Sequence, residues 1–113
     1  MPQGSDFPSI DTVEVVNNSF DFATLLPAGI TIARVLSMTG SVYSGADSSA
    51  PSRLVGSPYI IASPSTGAAS SAVLQQIGNS PVGGVTYMWD ALVLTSDNQQ
   101  LNIFAHQKCK IPR

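Results

Sequence analysis

The feature that most constrains this chain is a two-residue alternation of apolar and polar side chains in its last third. Residues 85–95 are rich in β-branched and aromatic side chains, and the polar run 96–99 follows them. Apolar residues then alternate with polar ones from Leu101 towards Ile111. Because successive side chains of a strand point to opposite faces, this pattern predicts a β-hairpin. A sustained helical period of 3.6 residues is not found in the sequence.

Short strand patterns, separated by turn-forming residues, continue through the rest of the chain. Asp21 and Pro27 favour one brief helical turn between them, as cap and stop. Turn signals about every 8 to 12 residues are typical of a β-sandwich. We therefore predict an all-β fold, a single antiparallel β-sandwich of about six or seven strands. The further strands are predicted at residues 12–16, 30–42, 53–62 and 71–77, and the loops at 44–51, 63–69 and 78–84.

Three local features refine this prediction. Residues 1–11 contain proline and glycine and little apolar material, so we expect an extended N-terminal arm. The polar run 17–19 predicts a turn, and Pro58 predicts an edge or a bend. Gly40 predicts a bulge or a kink that divides its strand in two. The domain division that follows places the arm and the first short strand at residues 1–19 and the β-sandwich at residues 20–113.

The low charge content of the chain favours a role in an assembly. Only 11% of the 113 residues are charged, whereas 43% are hydrophobic. A free monomer usually carries more charge than this, and a sparsely charged monomer is the alternative. The net charge of −2 gives no field that would attract nucleic acid. Three of the five basic residues, Lys108, Lys110 and Arg113, are found in the last six positions.

The chain shows no membrane or secretion feature. Its apolar runs are about four residues long, too short for a span. Residues 1–6 have neither a basic start nor an apolar stretch, so a signal peptide is not expected. Cys109 is the single cysteine, which excludes an internal disulfide. These features fit a protein that folds in the reducing cytoplasm.

A catalytic set is not predicted. His106 and Cys109 are the single histidine and the single cysteine, and their spacing of three places them on opposite faces of a strand. A nucleophile and a base on opposite faces cannot work together. Tyr87 and Trp89 are expected in the core. We predict no catalytic residue, no cofactor and no metal site, and hence no enzyme.

Two stretches resemble a known family. Residues 21–23 (DFA) and 29–33 (GITIA) are similar to the opening of small virion structural proteins of tailed bacteriophages, with Ile30 where that family usually has Asp. Residues 72–78 (AVLQQIG), 84–87 (GVTY) and 94–97 (LTSD) resemble its later strands and its closing hairpin. The resemblance covers residues 20–111 and implies a fiber–tail adaptor or head-associated protein with an Ig-like sandwich, present in many copies.

The resulting hypothesis is a non-enzymatic virion protein that attaches fibers to the tail or the head–tail region. Its expected partners are other phage virion proteins (a fiber, a tail adaptor or nozzle, or the capsid protein) and further copies of itself, in the virion, after synthesis in the host cytoplasm. Nucleic acid and membrane are not expected partners. A capsid decoration or cement protein is the first alternative, and a carbohydrate-binding module using Tyr59, Tyr87 and Trp89 is the second. The residues expected to contact partners are Phe7, Pro8, Ile10, Asp47, Pro51, Arg53, Lys108, Lys110 and Arg113.

Overall fold

The computed structural model describes residues 6–61 and 70–110. This part of the chain contains six β-strands and two short 3₁₀ helices, at Ala23–Leu25 and Ala50–Arg53. The predicted loop 63–69 and Arg113 are outside the described residues. The strands are β1 (Val16–Asp21), β2 (Ile32–Ser44), β3 (Leu54–Ile61), β4 (Ala72–Ile77), β5 (Thr86–Thr95) and β6 (Gln100–Lys108).

The strands form two packed antiparallel sheets of three strands each. One sheet has the order β1-β4-β3 and the other has the order β2-β5-β6. The hairpin predicted from the alternation is present as β5 and β6, paired in continuous register from Thr86↔Lys108 to Leu94↔Gln100. The prediction of an all-β sandwich is confirmed, with six strands in the described part of the chain.

The core is between the sheets, and β5 provides its centre. Tyr87, Trp89, Ala91 and Val93 are fully buried, and the residues between them are only half-buried. Every second side chain of β5 therefore faces the core, as the alternation in the sequence predicts. The rings of Tyr87 and Trp89 are stacked in parallel, with their centroids 5.1 Å apart. Large aromatic side chains of this kind dominate the energetics of a small core.

The predicted strand at residues 12–16 and the predicted turn at 17–19 are wrong. Residues 12 and 13 form a turn, and β1 begins at Val16 and runs through the polar run. The reason is tertiary: β1 pairs with β4 in unbroken register, which places Asn18 and Phe20 on the buried face. Sheet pairing overrides the local turn preference. The predicted domain division between residues 19 and 20 consequently falls inside β1.

Gly40 is not at a bulge, and β2 is not divided there, so these parts of the prediction are wrong. The irregular pairs of β2 with β5 occur between Ile32 and Arg34, between Val35 and Ser37, and between Val42 and Ser44. Gly40 is opposite Trp89 in regular pairing. A Cβ atom at Gly40 would be 2.6 Å from Cζ3 of that indole, so the glycine provides space for the ring.

Two smaller predictions are confirmed. The backbone N–H of Ala23 donates to Oδ1 of Asp21 at 2.9 Å, and the helical turn Ala23–Leu25 ends before Pro27. Pro58 is in the edge strand β3, where the pairing with β4 is interrupted between Val55 and Tyr59. A proline fits there because it has no N–H to contribute to a ladder.

The arm, residues 6–10, runs parallel to β6 along its free edge. The N–H of Phe7 donates to the carbonyl of His106 at 3.0 Å. The N–H of Ile10 donates to the carbonyl of Lys108, also at 3.0 Å. The N–H of Lys110 donates in turn to the carbonyl of Ile10 at 2.8 Å. The arm therefore occupies hydrogen-bonding groups of an edge strand that would otherwise be open to pairing.

Candidate contact surface

One end of the sandwich collects most of the predicted contact residues. We call it the loop end, and it consists of residues 10–15, 44–53, 78–85 and 108–110. Ile10, Asp47, Pro51, Arg53, Lys108 and Lys110 belong to it. Phe7 and Pro8 lie further back along β6.

Backbone hydrogen bonds hold the loop end together. The N–H of Gly78 donates to the carbonyl of Arg53 at 2.9 Å. The N–H of Gly84 donates to the carbonyl of Cys109 at 2.9 Å, and the N–H of Cys109 donates to the carbonyl of Val85 at 2.8 Å. Ile10 forms a parallel bridge to Cys109. Four segments that are distant in sequence are thus fixed in one place by backbone contacts alone.

A cluster of polar side chains locks the long loop of the loop end onto β5. The guanidinium of Arg53 donates to Asp47 through Nε at 3.0 Å and through Nη2 at 3.2 Å, and through Nη1 to the carbonyl of Asn79 at 2.6 Å. The hydroxyl of Tyr87 donates to Oδ2 of Asp47 at 2.6 Å and accepts from the N–H of Val82 at 2.8 Å. The carboxylate of Asp47 thus joins its own loop to β5, and Arg53 and Tyr87 join the second loop to this pair.

The ionisation of this cluster follows from its contacts. The hydrogen bonds from Arg53, above all, lower the pKa of Asp47 from 3.8 to about 2. The hydrogen bond to Asp47 raises the pKa of Arg53. Burial, and then the hydrogen bond to Asp47, raise the pKa of Tyr87. The group is accordingly a charged Asp–Arg pair with a neutral phenol beside it.

The same contacts limit what Asp47 and Arg53 offer to a partner. Their side chains are only 5% and 13% exposed, and their polar atoms are engaged within the chain. Charged groups used in this way stabilise the conformation of their loop and are not available to bind a partner. Pro51, Lys108 and Lys110 are exposed. A contact role for these five residues stays a prediction.

Exposed valines are the feature of the loop end that the sequence did not point to. Val13 is 88% exposed, Val15 is 57% exposed and Val82 is 39% exposed. The alternation of residues 12–16 predicts a strand containing Val13 and Val15. Val82 is a single valine in a predicted loop rich in glycine and proline, and nothing in the pattern predicts its exposure. Apolar side chains exposed in one region of a surface are typical of a protein contact site.

The arm residues have roles inside this chain. The side chain of Ile10 is fully buried and belongs to the core, which differs from the contact role predicted for it. The ring of Phe7 meets that of Phe20 edge to face, with centroids 5.1 Å apart. Pro8 is exposed, and its carbonyl accepts a hydrogen bond from Nε2 of Gln107 at 2.9 Å.

A buried polar network ties the arm to both sheets. Oε1 of Gln107 accepts from Nδ2 of Asn18 at 2.9 Å and from the indole Nε1 of Trp89 at 3.0 Å. Gln107 is on β6 and Asn18 is on β1, so this amide links the sheets at the side of the sandwich that the arm covers. Sequence patterns do not predict the network, because it depends on side chains 89 positions apart.

The aromatic row expected for a carbohydrate-binding module does not form. Tyr87 and Trp89 are fully buried, and Tyr59 is exposed on β3 in the other sheet. The exposed Tyr43 instead stacks on His106, with ring centroids 4.0 Å apart. Phe104 is next to that histidine at 5.9 Å.

The structure separates His106 and Cys109 as expected. His106 is paired with Met88 on the outer face of its sheet, whereas Cys109 is fully buried. Burial, and then the charge of Asp11, raise the pKa of the Cys109 thiol. Residues 6–61 and 70–110 contain no group of three or more His, Cys, Asp or Glu side chains placed to hold a metal ion. In that same part of the chain, no helix has the length and apolar character needed to cross a membrane.

Comparisons of the chain with protein families, with curated proteins and with solved structures found no match. The loop end is therefore interpreted from the chain's own residues.

Proposed function

We propose that this chain is a non-enzymatic structural protein of a tailed-phage virion, an adaptor that attaches fibers to the tail or the head–tail region. Its loop end docks on a neighbouring virion protein: a fiber, a tail adaptor or nozzle, or the capsid protein. The protein acts in the virion after synthesis in the host cytoplasm. The choice of a phage particle rests on the sequence resemblance, and the choice of the loop end rests on geometry.

The observation that carries the docking proposal is the exposed side chain of Val82 at the loop end, on a loop that hydrogen bonds to Tyr87 and Arg53 hold in place. Leaving apolar surface in water is unfavourable, at about 25 cal/mol per Å². The Asp47–Arg53 pair keeps the surrounding loop in place. A surface that is already ordered loses little entropy when it binds a partner.

A capsid decoration or cement protein would use the same surface, so copy number separates the two alternatives. Symmetric tails hold on the order of ten copies of an adaptor, whereas a capsid holds hundreds of copies of a decoration protein. Quantitative mass spectrometry of purified particles measures this number directly.

Charged substitutions test the docking surface. Val82→Asp places a charge on the loop end at an exposed position, and we expect its incorporation into particles to fall at least about tenfold. Tyr59→Asp is the matched control, because Tyr59 is 56% exposed on β3 and outside the loop end. Equal incorporation of the two variants, with both folded as judged by circular dichroism, would contradict docking through the loop end.

A further inference from the structure

The five residues between the arm and β1 are in conflict with their own sequence pattern. Residues 11–15 read DTVEV and continue into Val16, an alternation typical of a strand. The structure instead closes them in a turn, in which the N–H of Glu14 donates to the carbonyl of Asp11 at 3.1 Å. This turn leaves Val13 88% exposed and Val15 57% exposed. We call residues 11–15 the hinge.

One side chain helps to hold the hinge closed. Oε1 of Glu14 accepts a hydrogen bond from the N–H of Asp11 at 2.6 Å. A carboxylate that closes a turn in this way stabilises it modestly, because the pair is exposed to water. Val15 also lies against Gly78, where a Cβ atom would be 2.8 Å from Cγ2 of Val15. The closed hinge thus depends on its turn hydrogen bonds and on this one packing contact.

The arm, on the N-terminal side of the hinge, pairs with β6 as an additional strand of that sheet. Its backbone pairs with β6, Ile10 fills a buried position beside Cys109, and the carbonyl of Pro8 is bonded to Gln107. An identical β6 in a second copy offers the same partners. Exchange of the arm between copies would therefore preserve these contacts, which is the energetic basis of domain swapping.

The directions of the chain make the exchange feasible. The arm runs parallel to β6 towards the loop end, and β1 starts at the loop end and runs back on the other sheet. The hinge reverses the chain between them. If the hinge opens, the arm, the hinge and β1 become one continuous strand over residues 6–21. Five extended residues separate the arm from β1 by about 17 Å.

We propose that two copies of this chain exchange their arms: residues 6–10 of each copy pair with β6 of the other, and the two opened hinges pair as an antiparallel ribbon. In that ribbon Val13 and Val15 of one copy pack against those of the other. The partner is a second copy because the arm fits its own β6. The inference goes beyond the proposed function and does not depend on which assembly contains the protein.

The balance between the two forms is set at the hinge. Opening loses the hydrogen bonds between Asp11 and Glu14, and pairing of the hinges buries valines that are exposed in the closed form. Because two chains combine, the exchanged dimer increases with protein concentration.

A disulfide distinguishes exchange from surface association. Ile10 and Cys109 are bridge partners and both are fully buried. Neighbouring strands are about 4.8 Å apart, which is within the range of Cα separations that a disulfide spans. In the variant Ile10→Cys, oxidation therefore joins residues 10 and 109 within one chain if the arm is closed and between two chains if the arms are exchanged. Peptide mapping of a covalent dimer identifies the bond, and Ile10→Cys combined with Cys109→Ala is the control that cannot form it.

Hinge variants test the same equilibrium without cysteine chemistry. Glu14→Val removes the hydrogen-bonding carboxylate and extends the strand pattern, and we expect the dimerisation constant measured by sedimentation to rise about tenfold. Glu14→Gln keeps an acceptor and should remain within about threefold of the original. Tyr59→Asn, which alters an exposed apolar side chain on β3 outside both the hinge and the loop end, should leave dimerisation unchanged.

The expected result is a concentration-dependent dimer that carries an interchain 10–109 disulfide in Ile10→Cys and that is strengthened by Glu14→Val. A protein that sediments as a monomer up to millimolar concentration, with and without Glu14→Val, would overturn the proposal. A dimer whose disulfide is found only within single chains would overturn it as well, since association would then use another surface.

Discussion

Gly40 shows how one missing side chain fixes the position of a large one. The indole of Trp89 is directly over Gly40, and Cζ3 of the ring is 2.6 Å from where a Cβ atom would be. The carbonyl oxygen of Ala50 is 3.3 Å from the same point. Neither the ring nor the backbone can move aside cheaply in a close-packed core.

We expect Gly40→Ala to lower the free energy of unfolding by about 2 kcal/mol, because overpacking forces the indole out of its position. Urea unfolding followed by the fluorescence of Trp89 measures this change. Ser41→Ala, at an exposed position on the same strand, should change stability by less than about 0.5 kcal/mol. Equal stability of the two variants would mean that the ring has room to move.

The pKa of Asp47 makes part of the stability dependent on pH. It is held at about 2 in the folded protein, against an ordinary value of 3.8. The carboxyl group of Asp47 holds its proton less tightly in the folded state than in the unfolded state. The stabilisation of the folded protein by ionised Asp47 is therefore fully present above pH 3.8 and is lost as the pH falls towards 2.

Asp47→Asn should therefore lower the free energy of unfolding by about 2 kcal/mol at pH 6, where the original carries a charged pair, and much less near pH 2. Denaturation midpoints at pH 6, 4, 3 and 2 provide the comparison. Asp6→Asn, at an exposed carboxylate, should keep the steep loss of stability in acid. A constant difference between Asp47→Asn and the original at every pH would contradict the role assigned to the carboxylate.

The strands that the sequence predicted well are those whose alternation is long and uninterrupted. β5 and the start of β6 were located within about one residue because each strand alternates along its length and a polar turn joins them. β6 ends at Lys108, whereas its alternation was predicted to continue to Ile111, which is outside the described residues. β1 was displaced because its register depends on its pairing with β4, which lies 51 to 61 positions further along the chain, and not on its own polar residues. Individual residues of the loop end could be predicted from sequence, but the pairing of Asp47 with Arg53 and Tyr87 could not, because it exists only after folding.

One side-chain amide, that of Gln107, joins the arm to both sheets at once. Gln107→Leu should lower the free energy of unfolding by about 3 kcal/mol, because the amide of Asn18, the indole N–H of Trp89 and the carbonyl of Pro8 lose their partner together. Gln100→Ala, exposed on the same strand, is the control and should be nearly neutral. Hydrogen exchange at the N–H groups of Phe7 and Ile10 should accelerate in Gln107→Leu. Unchanged exchange there would show that the arm is held without the amide.

The whole molecule combines a packed sandwich with a surface that has few charges. Charged residues make up 11% of the chain. Two of them, Asp47 and Arg53, form an ion pair within the fold and add little charge to the surface. The loop end exposes Val13, Val15 and Val82, and the arm covers one sheet edge that would otherwise be open. A molecule of this kind suits a fixed place in an assembly, with its loops towards a neighbour.

Electron cryomicroscopy of purified particles from cultures that produce this chain tests the central claim most directly. The proposed function predicts density for the sandwich at the tail or the head–tail region, with Val82 and Lys108 covered by a neighbouring protein. Particles that lack the chain, or a position in which the loop end faces solvent while another surface makes the contacts, would contradict it.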